Sequence, residues 1–183
     1  MLNLRLRILG LLLVLVAAAA LLPAGVGPLH AAEGPPKPAE LKVLEKLIGE
    51  WTSETTVTVL DGTPQVVKST GVATRKWALD GRIVEESAKS SNGTEAKVIF
   101  AYNTGEHAYR WVYFSSDGFI VDSSGQWDEA AQKLSLKADL SNGVTQTSTL
   151  HFTGDDTQEW TSKVTDAAGK VWFEGSGTLK RKK

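Results

Sequence analysis

From Trp51 to the C-terminus the chain repeats one short pattern, in which stretches of alternating apolar and polar residues end in turn-forming dipeptides. Five of these dipeptides pair Asp or Asn with Gly: Asp61-Gly62, Asp80-Gly81, Asn92-Gly93, Asp117-Gly118 and Asn142-Gly143. Such pairs between alternating segments are a strong signal of β-hairpins. Together with weaker turns they divide the chain into about ten β-rich segments. The segments begin near Trp51, Gln65, Arg82, Thr94, His107, Phe119, Lys133, Val144, Thr157 and Lys170.

Consecutive hairpins without intervening helices predict that each strand pairs with its neighbours in the chain. The fold class is therefore all-β, an up-and-down antiparallel β-barrel of about ten strands. Closure removes the two exposed edges of an open sheet, and ten strands enclose more volume than the side chains of a small barrel fill. We therefore expect a cavity. A two-sheet sandwich is the alternative, because strand spacing alone does not separate the two architectures.

One helical pattern precedes the strands. Leu41, Leu44, Leu47 and Ile48 recur at helical spacing, and Gly49 stands at the C-terminal cap position. We expect a short N-terminal helix over residues 39–48 that plugs or flanks the barrel.

The N-terminus has the pattern of a secretory signal peptide, residues 1–31. Arg5 and Arg7 precede an apolar run of 15 residues, Ile8–Leu22, and small residues follow at 31–32. A permanent membrane anchor is the alternative, but a helical span needs about 20 apolar residues. Residues 32–38 form a Pro-rich linker, so the domain comprises residues 39–183. We expect an exported protein, periplasmic or secreted, with no stable membrane span after signal removal.

Composition excludes several classes of protein. Without residues 1–31 the chain keeps 18 basic and 21 acidic residues, a net charge near −3 that offers nucleic acid no electrostatic footprint. The chain contains no cysteine, which excludes disulfides, thiolate metal sites and a lipidated N-terminal cysteine. The remaining length of about 150 residues is that of one domain with one core.

Alternation assigns residues to the inner face of the barrel. On the first strand the Trp51 side, which includes Ser53 and Thr55, is the inner one. Polar residues on such a face would cost about 1–3 kcal/mol each if buried without a partner, so either they bond to one another or water is present. We predict a lumen that is apolar at its ends and polar in the middle. The candidate ligand-binding residues are Trp51, Ser53, Thr55, Gln146, Ser148, Trp160, Ser162 and Phe173.

The segment from His107 to Phe114 carries bulky residues on both faces. One of these faces should be covered by another element, either the predicted helix or a partner subunit, because exposed aromatic surface of this extent usually marks a contact.

No catalytic motif is present, and no spacing of His, Asp or Glu is typical of a metal site. The face assignment places no carboxylate or histidine in the lumen. We predict no catalytic residues, no metal and no cofactor. The cluster Gly175-Ser176-Gly177 lies in a strand and indicates close packing.

The segment Leu44-Glu45-Lys46-Leu47-Ile48-Gly49-Glu50-Trp51 resembles the Gly-x-Trp motif with which lipocalins and other calycins begin their barrel. Residues 39–183 as a whole resemble the bacterial domain-of-unknown-function 1579 family. Four further segments support the resemblance: Leu79-Asp80-Gly81-Arg82, Ala101-Tyr102-Asn103, Gly125-Gln126-Trp127-Asp128 and the closing residues 177–182. In lipocalins this tryptophan packs beneath an arginine of the last strand, which here corresponds to Trp51 and Arg181. The related nitrobindin group needs a haem-binding histidine and a glycine-rich motif that is missing here, so haem is not expected.

The leading hypothesis is an exported, non-catalytic lipocalin-like barrel that binds a small, partly apolar or amphipathic ligand in its lumen. One alternative is a structural or protein-interaction module of the cell envelope. The other is a calycin-like enzyme of the isomerase or cyclase type, which would need a carboxylate or histidine in the lumen. The sequence predicts no oligomeric state.

Signal removal is a direct prediction of the N-terminal pattern. Export from the natural host should release a chain that starts at Ala32, because the small residues at 31–32 suit signal peptidase. N-terminal sequencing of the exported protein checks this. An exported chain that still starts at Met1 would contradict it and favour the membrane anchor.

Overall fold

The computed structural model describes residues 35–183, and the predicted signal peptide (1–31) and residues 32–34 of the predicted linker lie outside this part. The described chain contains one α-helix and ten β-strands. They are α1 (Leu41–Glu45), β1 (Gly49–Val59), β2 (Gln65–Ala78), β3 (Ile83–Ser90), β4 (Glu95–Asn103), β5 (Ala108–Ser115), β6 (Ile120–Asp128), β7 (Lys133–Asp139), β8 (Thr145–Gly154), β9 (Thr157–Thr165) and β10 (Val171–Arg181). The described part has no helix long and apolar enough to cross a membrane.

The strands form a closed antiparallel barrel with up-and-down topology. Each strand pairs with its neighbours in the chain, and β1 closes the barrel by pairing with β10 in a register that sets Trp51 opposite Arg181. The predicted fold class is confirmed, and the sandwich alternative is wrong. Every strand begins within two residues of its predicted start, because the Gly-containing turns fix where each strand ends.

Helix α1 is shorter than the 39–48 predicted. After Glu45 the chain continues with tighter i to i+3 bonds, from Lys46 N to Val43 O (3.3 Å) and from Leu47 N to Leu44 O (3.0 Å). The buried side chains of Leu41, Val43, Leu44 and Leu47 pack into the core of the barrel at the end where β1 begins. We call this end the closed end.

Trp51 lies at the centre of the closed end and has no solvent exposure. Its Nε1 donates a hydrogen bond to Leu47 O (2.8 Å), which ties the residues after α1 to the first strand. The Arg181 guanidinium stacks 4.3 Å from the indole centroid, as the lipocalin resemblance implies. Arg181 also donates to Ile48 O and to Lys46 O (3.1 Å), so it caps carbonyls that the end of α1 leaves free.

The opposite end of the barrel carries the loops after β1, β3, β5, β7 and β9. Here the inward-facing side chains of Val59 and Val67 remain 39% and 46% exposed. The described residues therefore leave this end, the open end, accessible to solvent.

Replacement of Arg181 should destabilise the closed end. Arg181→Gln removes the stacking on Trp51 and the charged hydrogen bonds, and we expect a loss of about 2–4 kcal/mol in the free energy of unfolding. Lys182→Gln is the matched control, because the side chain of Lys182 makes an exposed ion pair with Glu50 (3.7 Å) and its loss should change stability by less than about 1 kcal/mol. Urea unfolding checks both, and equal effects would contradict the role of Arg181.

Candidate functional site

Register and alternation place all eight predicted ligand-binding residues on the inner faces of their strands. They are Trp51, Ser53, Thr55, Gln146, Ser148, Trp160, Ser162 and Phe173. Trp51 lies at the closed end and belongs to the closing contact described above. The ligand-binding role of the other seven stays a prediction.

Three of these residues bond to one another. Gln146 Nε2 donates to Ser148 Oγ (3.2 Å), and Ser148 Oγ donates to Ser162 Oγ (3.0 Å) across the β8–β9 ladder. All three are buried. The sequence left open whether the inward hydroxyls would pair or contact water, and for this group they pair, which removes much of the cost of burying them.

One part of the barrel wall is lined by very small side chains. The β2–β3–β4 ladder aligns Ala73 with Ala88 and Ala88 with Ala96, and the neighbouring ladder aligns Ser53 with Gly71 and Gly71 with Ser90. Such residues reach only a short way into a barrel whose ten strands enclose a wide interior. The part of this wall nearer the closed end is covered, since Ala73 is buried in a cluster with Trp51 and Leu179 against which Ala88 and Trp160 pack. Toward the open end Gly71, Ser90 and Ala96 are only partly buried.

Aromatic rings on other parts of the inner wall keep surface that solvent can reach. Trp111 and Tyr113 on β5, Trp160 on β9 and Phe173 on β10 all face inward, yet each is only partly buried. Rings in a filled core lose nearly all of this surface. The described side chains therefore leave part of the inner wall uncovered, and we call the part of the lumen between these rings and the open end the upper lumen.

Trp160 lies flat against two glycines of the neighbouring strand. A Cβ atom at Gly175 would lie 3.0 Å from the Trp160 ring, and one at Gly177 would lie 2.5 Å from Trp160 Nε1. The glycines thus make room for the ring, and the predicted packing role of Gly175 and Gly177 is confirmed.

The prediction that no carboxylate lies in the lumen is wrong. Glu86 faces inward on β3 beside Arg75 on β2, and the two form an ion pair in which Arg75 is 4% and Glu86 8% exposed. Arg75 Nη1 also donates to Gln158 Oε1 (2.6 Å). Alternation counted from Ala73 and Trp77 would have found Arg75, but a charged residue on a strand is ordinarily assigned to solvent.

The ion pair belongs to the closed end. The guanidinium of Arg75 lies 5.4 Å from the Trp51 ring and 5.5 Å from the Phe100 ring, so it is held between two aromatic side chains. Gln158, fully buried, donates in turn to Lys46 O (3.4 Å) below α1. These contacts fix the Arg75 guanidinium, and Glu86 is its ion-pair partner. The network links the residues after α1 to β2, β3 and β9.

Tyrosines at the same end attach the segment that leads into α1. Tyr109 Oη donates to Glu40 O (3.0 Å), and Tyr102 Oη donates to the Glu40 carboxylate (3.2 Å). Burial, assisted by the negative charge of Glu40, raises the pKa of Tyr109 to about 12, so its phenol stays protonated. The helical segment, one of the two covers predicted for β5, thus covers Tyr109, while Trp111 and Tyr113 on the same face stay partly exposed.

Two clefts lie outside the lumen. One of about 640 Å³ crosses β9, β10, β1 and β2 and is lined mainly by serine and threonine, with Glu54 and Glu159 on its flanks. The other, about 540 Å³, lies between residues 37–45 and the turn after β2. Neither contains a buried polar atom without a partner, so the lumen is the better candidate site.

Residues 37–174 match the family DUF1579, described as a protein of unknown function. The chain belongs to the DUF1579 family. The match covers nearly the whole barrel, from the residues before α1 into β10. A search of curated proteins found no match.

Solved structures share the fold of this DUF1579 barrel. Rv2717c from M. tuberculosis is similar with a TM-score of 0.59 and 10% identity, over 81% of this chain and 100% of that chain. The S-type phycobiliprotein lyase CPES from Guillardia theta has a TM-score of 0.52 and 12% identity, over 78% of this chain and 92% of that chain. At these identities the likeness concerns the fold alone.

The buried ion pair generates a stability prediction. Glu86→Gln leaves Arg75 charged and unpaired in the interior, which should lower the free energy of unfolding by about 3–5 kcal/mol. The double variant Arg75→Met with Glu86→Leu should recover most of this loss, because it removes both charges and keeps the volume filled.

Glu95→Gln is the control for this experiment, since it breaks the exposed pair of Lys89 and Glu95 (2.9 Å) and should cost less than about 1 kcal/mol. Urea unfolding of the four proteins measures these differences. The assignment fails if Glu86→Gln and Glu95→Gln lower stability equally.

Proposed function

We propose that this protein is an exported, non-catalytic barrel that binds a small, partly apolar molecule in its upper lumen. The observation that carries the proposal is the partial exposure of inward-facing rings, those of Trp111, Tyr113, Trp160 and Phe173. When a ligand covers apolar surface that was open to solvent, the complex is stabilised by about 25 cal/mol for each Å² of apolar surface buried.

The lining supports a ligand of mixed character. Aromatic rings occupy one part of the wall, while Ser53 and Thr55 on β1, both partly exposed, bring hydroxyl groups into the same space. Ligand pockets are typically lined by apolar side chains with a few polar groups that fix orientation.

The proposal includes export of the protein from the cytoplasm. The pattern of residues 1–31 supports a removed signal peptide and a periplasmic or secreted site of action. The net charge near −3 of the chain without residues 1–31 agrees with a carrier that does not bind nucleic acid.

A second candidate function, a protein-interaction module, is favoured by one observation. Phe114 and Ile120 are cross-strand partners on the outer face near the open end, and they are 41% and 59% exposed. A pair of large apolar side chains in solvent is a feature of contact surfaces. Light scattering tests it: self-association lost in Phe114→Ser would support this role, and a protein that stays monomeric and captures no envelope partner would contradict it.

The enzyme alternative has less support. The lumen does hold a carboxylate, but Glu86 is bound to Arg75 and lies among the closing residues below the accessible space. Glu86 therefore stabilises the closed end through its ion pair with Arg75.

Filling the upper lumen should weaken binding. Ala96 faces inward on β4 and is partly exposed, so Ala96→Phe puts a large ring into the space that a ligand would occupy. We expect at least a tenfold loss of affinity for the neutral apolar dye Nile red, because the ring and the dye compete for one volume. Fluorescence titration of the mature protein measures this.

Lys97→Phe is the matched control, since it adds the same ring one residue away on the outer face and should leave dye affinity within about twofold. A wild-type protein that binds no dye would contradict the proposed function. So would equal losses of affinity in the two variants.

A further inference from the structure

Three buried polar atoms on the inner wall have no hydrogen-bond partner within the described part of the protein. One is Ser115 Oγ, beside the turn at Asp117, and the other two are Trp111 Nε1 and Ser123 Oγ. The two residues are direct cross-strand partners in the β5–β6 register, and Ser123 is 1% exposed. Directly opposed side chains have Cβ atoms about 4.5–5.5 Å apart. The side chains that carry the two unpartnered groups therefore start from adjacent positions in the wall.

Apart from Ser123, the polar side chains that are buried on the described inner faces have partners. Gln146, Ser148 and Ser162 bond to one another, and Arg75 bonds to Glu86 and Gln158. The third of these atoms, Ser115 Oγ, lies close enough to the Asp117 carboxylate to lower the pKa of that carboxyl, so it has a polar group beside it. Since buried polar groups in folded proteins nearly always have partners, the Trp111–Ser123 pair is an exception that needs a physical reason.

We propose that Trp111 and Ser123 are the polar recognition point of the lumen, where they donate hydrogen bonds to a neutral oxygen acceptor, such as a carbonyl, on an otherwise apolar ligand. This inference rests on the proposed function and adds the chemistry of the ligand. An indole N–H is a donor only, so the group it meets must be an acceptor.

Charge favours a neutral acceptor over a carboxylate. The charged residues of the described inner faces are Arg75, Glu86 and Arg181, and all three are engaged at the closed end with each other, with Asp156 or with backbone carbonyls. A carboxylate brought to Trp111 would lose its hydration without meeting a free cation, which is costly in a lumen of low polarity. A carbonyl loses much less and gains the two donors.

One of the two donors is oriented before the ligand arrives. The Trp111 ring is stacked on Phe100, with 6.3 Å between centroids and 6° between planes, and this contact fixes the plane of the indole. Ser123 turns its hydroxyl by rotation about one bond. Neither polar atom is open to water in the described structure, so the ligand reaches them through side-chain rearrangement of the kind that commonly accompanies binding.

A pair of dyes separates the recognition point from general apolar binding. Nile red is neutral and carries a carbonyl acceptor, whereas diphenylhexatriene is a hydrocarbon without one. Trp111→Phe and Ser123→Ala should each weaken Nile red binding to the mature protein by about two- to tenfold, the loss expected for one hydrogen bond. Diphenylhexatriene should keep its affinity within about twofold.

Two controls guard this test. Trp172→Phe removes an indole N–H that is already bonded to Asp166 (2.9 Å), and it should leave both dye affinities unchanged. Ser123→Ala should not lower the urea midpoint, because it removes an unsatisfied hydroxyl, whereas Ser148→Ala should lower it by breaking a formed bond.

The outcomes distinguish the two proposals. Equal losses for both dyes, unchanged Nile red affinity in both variants, or a lowered urea midpoint in Ser123→Ala overturns the recognition point while binding in the lumen stands. A wild-type protein that binds neither dye overturns the proposed function together with this inference.

Discussion

The stacking of two guanidinium groups near one buried indole is the contact on which the rest of the barrel depends. Arg181 lies 4.3 Å and Arg75 5.4 Å from the Trp51 ring. The two arginines then extend the contact in different directions. Arg181 caps carbonyls after α1, and Arg75 joins β2 to Glu86 on β3 and Gln158 on β9. One side chain from the first strand thus organises the helix and strands on several sides of the barrel.

This arrangement divides the interior into two parts of different chemistry. The closed end holds the helix, the large aliphatic side chains and the buried ion pair. The part nearer the open end is lined by Ala, Gly and Ser on β1–β4 and by partly exposed rings on β5 and β9. Because the closed end is so densely connected, the upper lumen can stay unfilled without loss of the fold. A stable closed end with an accessible upper lumen is what a ligand-binding barrel requires.

Much of the fold could be predicted from the sequence, since its signals are local. The Asp-Gly and Asn-Gly turns set the strand ends, and a period of two set which residues of β1, β8 and β9 face inward. Contacts between side chains on strands that are far apart in the sequence could not be predicted in this way. Arg75 is 83 residues from Gln158, and nothing in a single sequence shows that the two side chains meet. The Trp111–Ser123 pair was missed for a similar reason, because an unpartnered atom is recognised only when every neighbour is known.

The central claim is that the upper lumen is an accessible binding space. A crystal structure of the mature protein purified from its natural host tests this most directly, through the electron density between Ala96 and the rings of Trp111 and Trp160. Our account predicts non-protein density there, from ordered solvent or a bound molecule, with a ligand's oxygen within hydrogen-bond distance of Trp111 Nε1. A lumen filled by the protein's own side chains would contradict it.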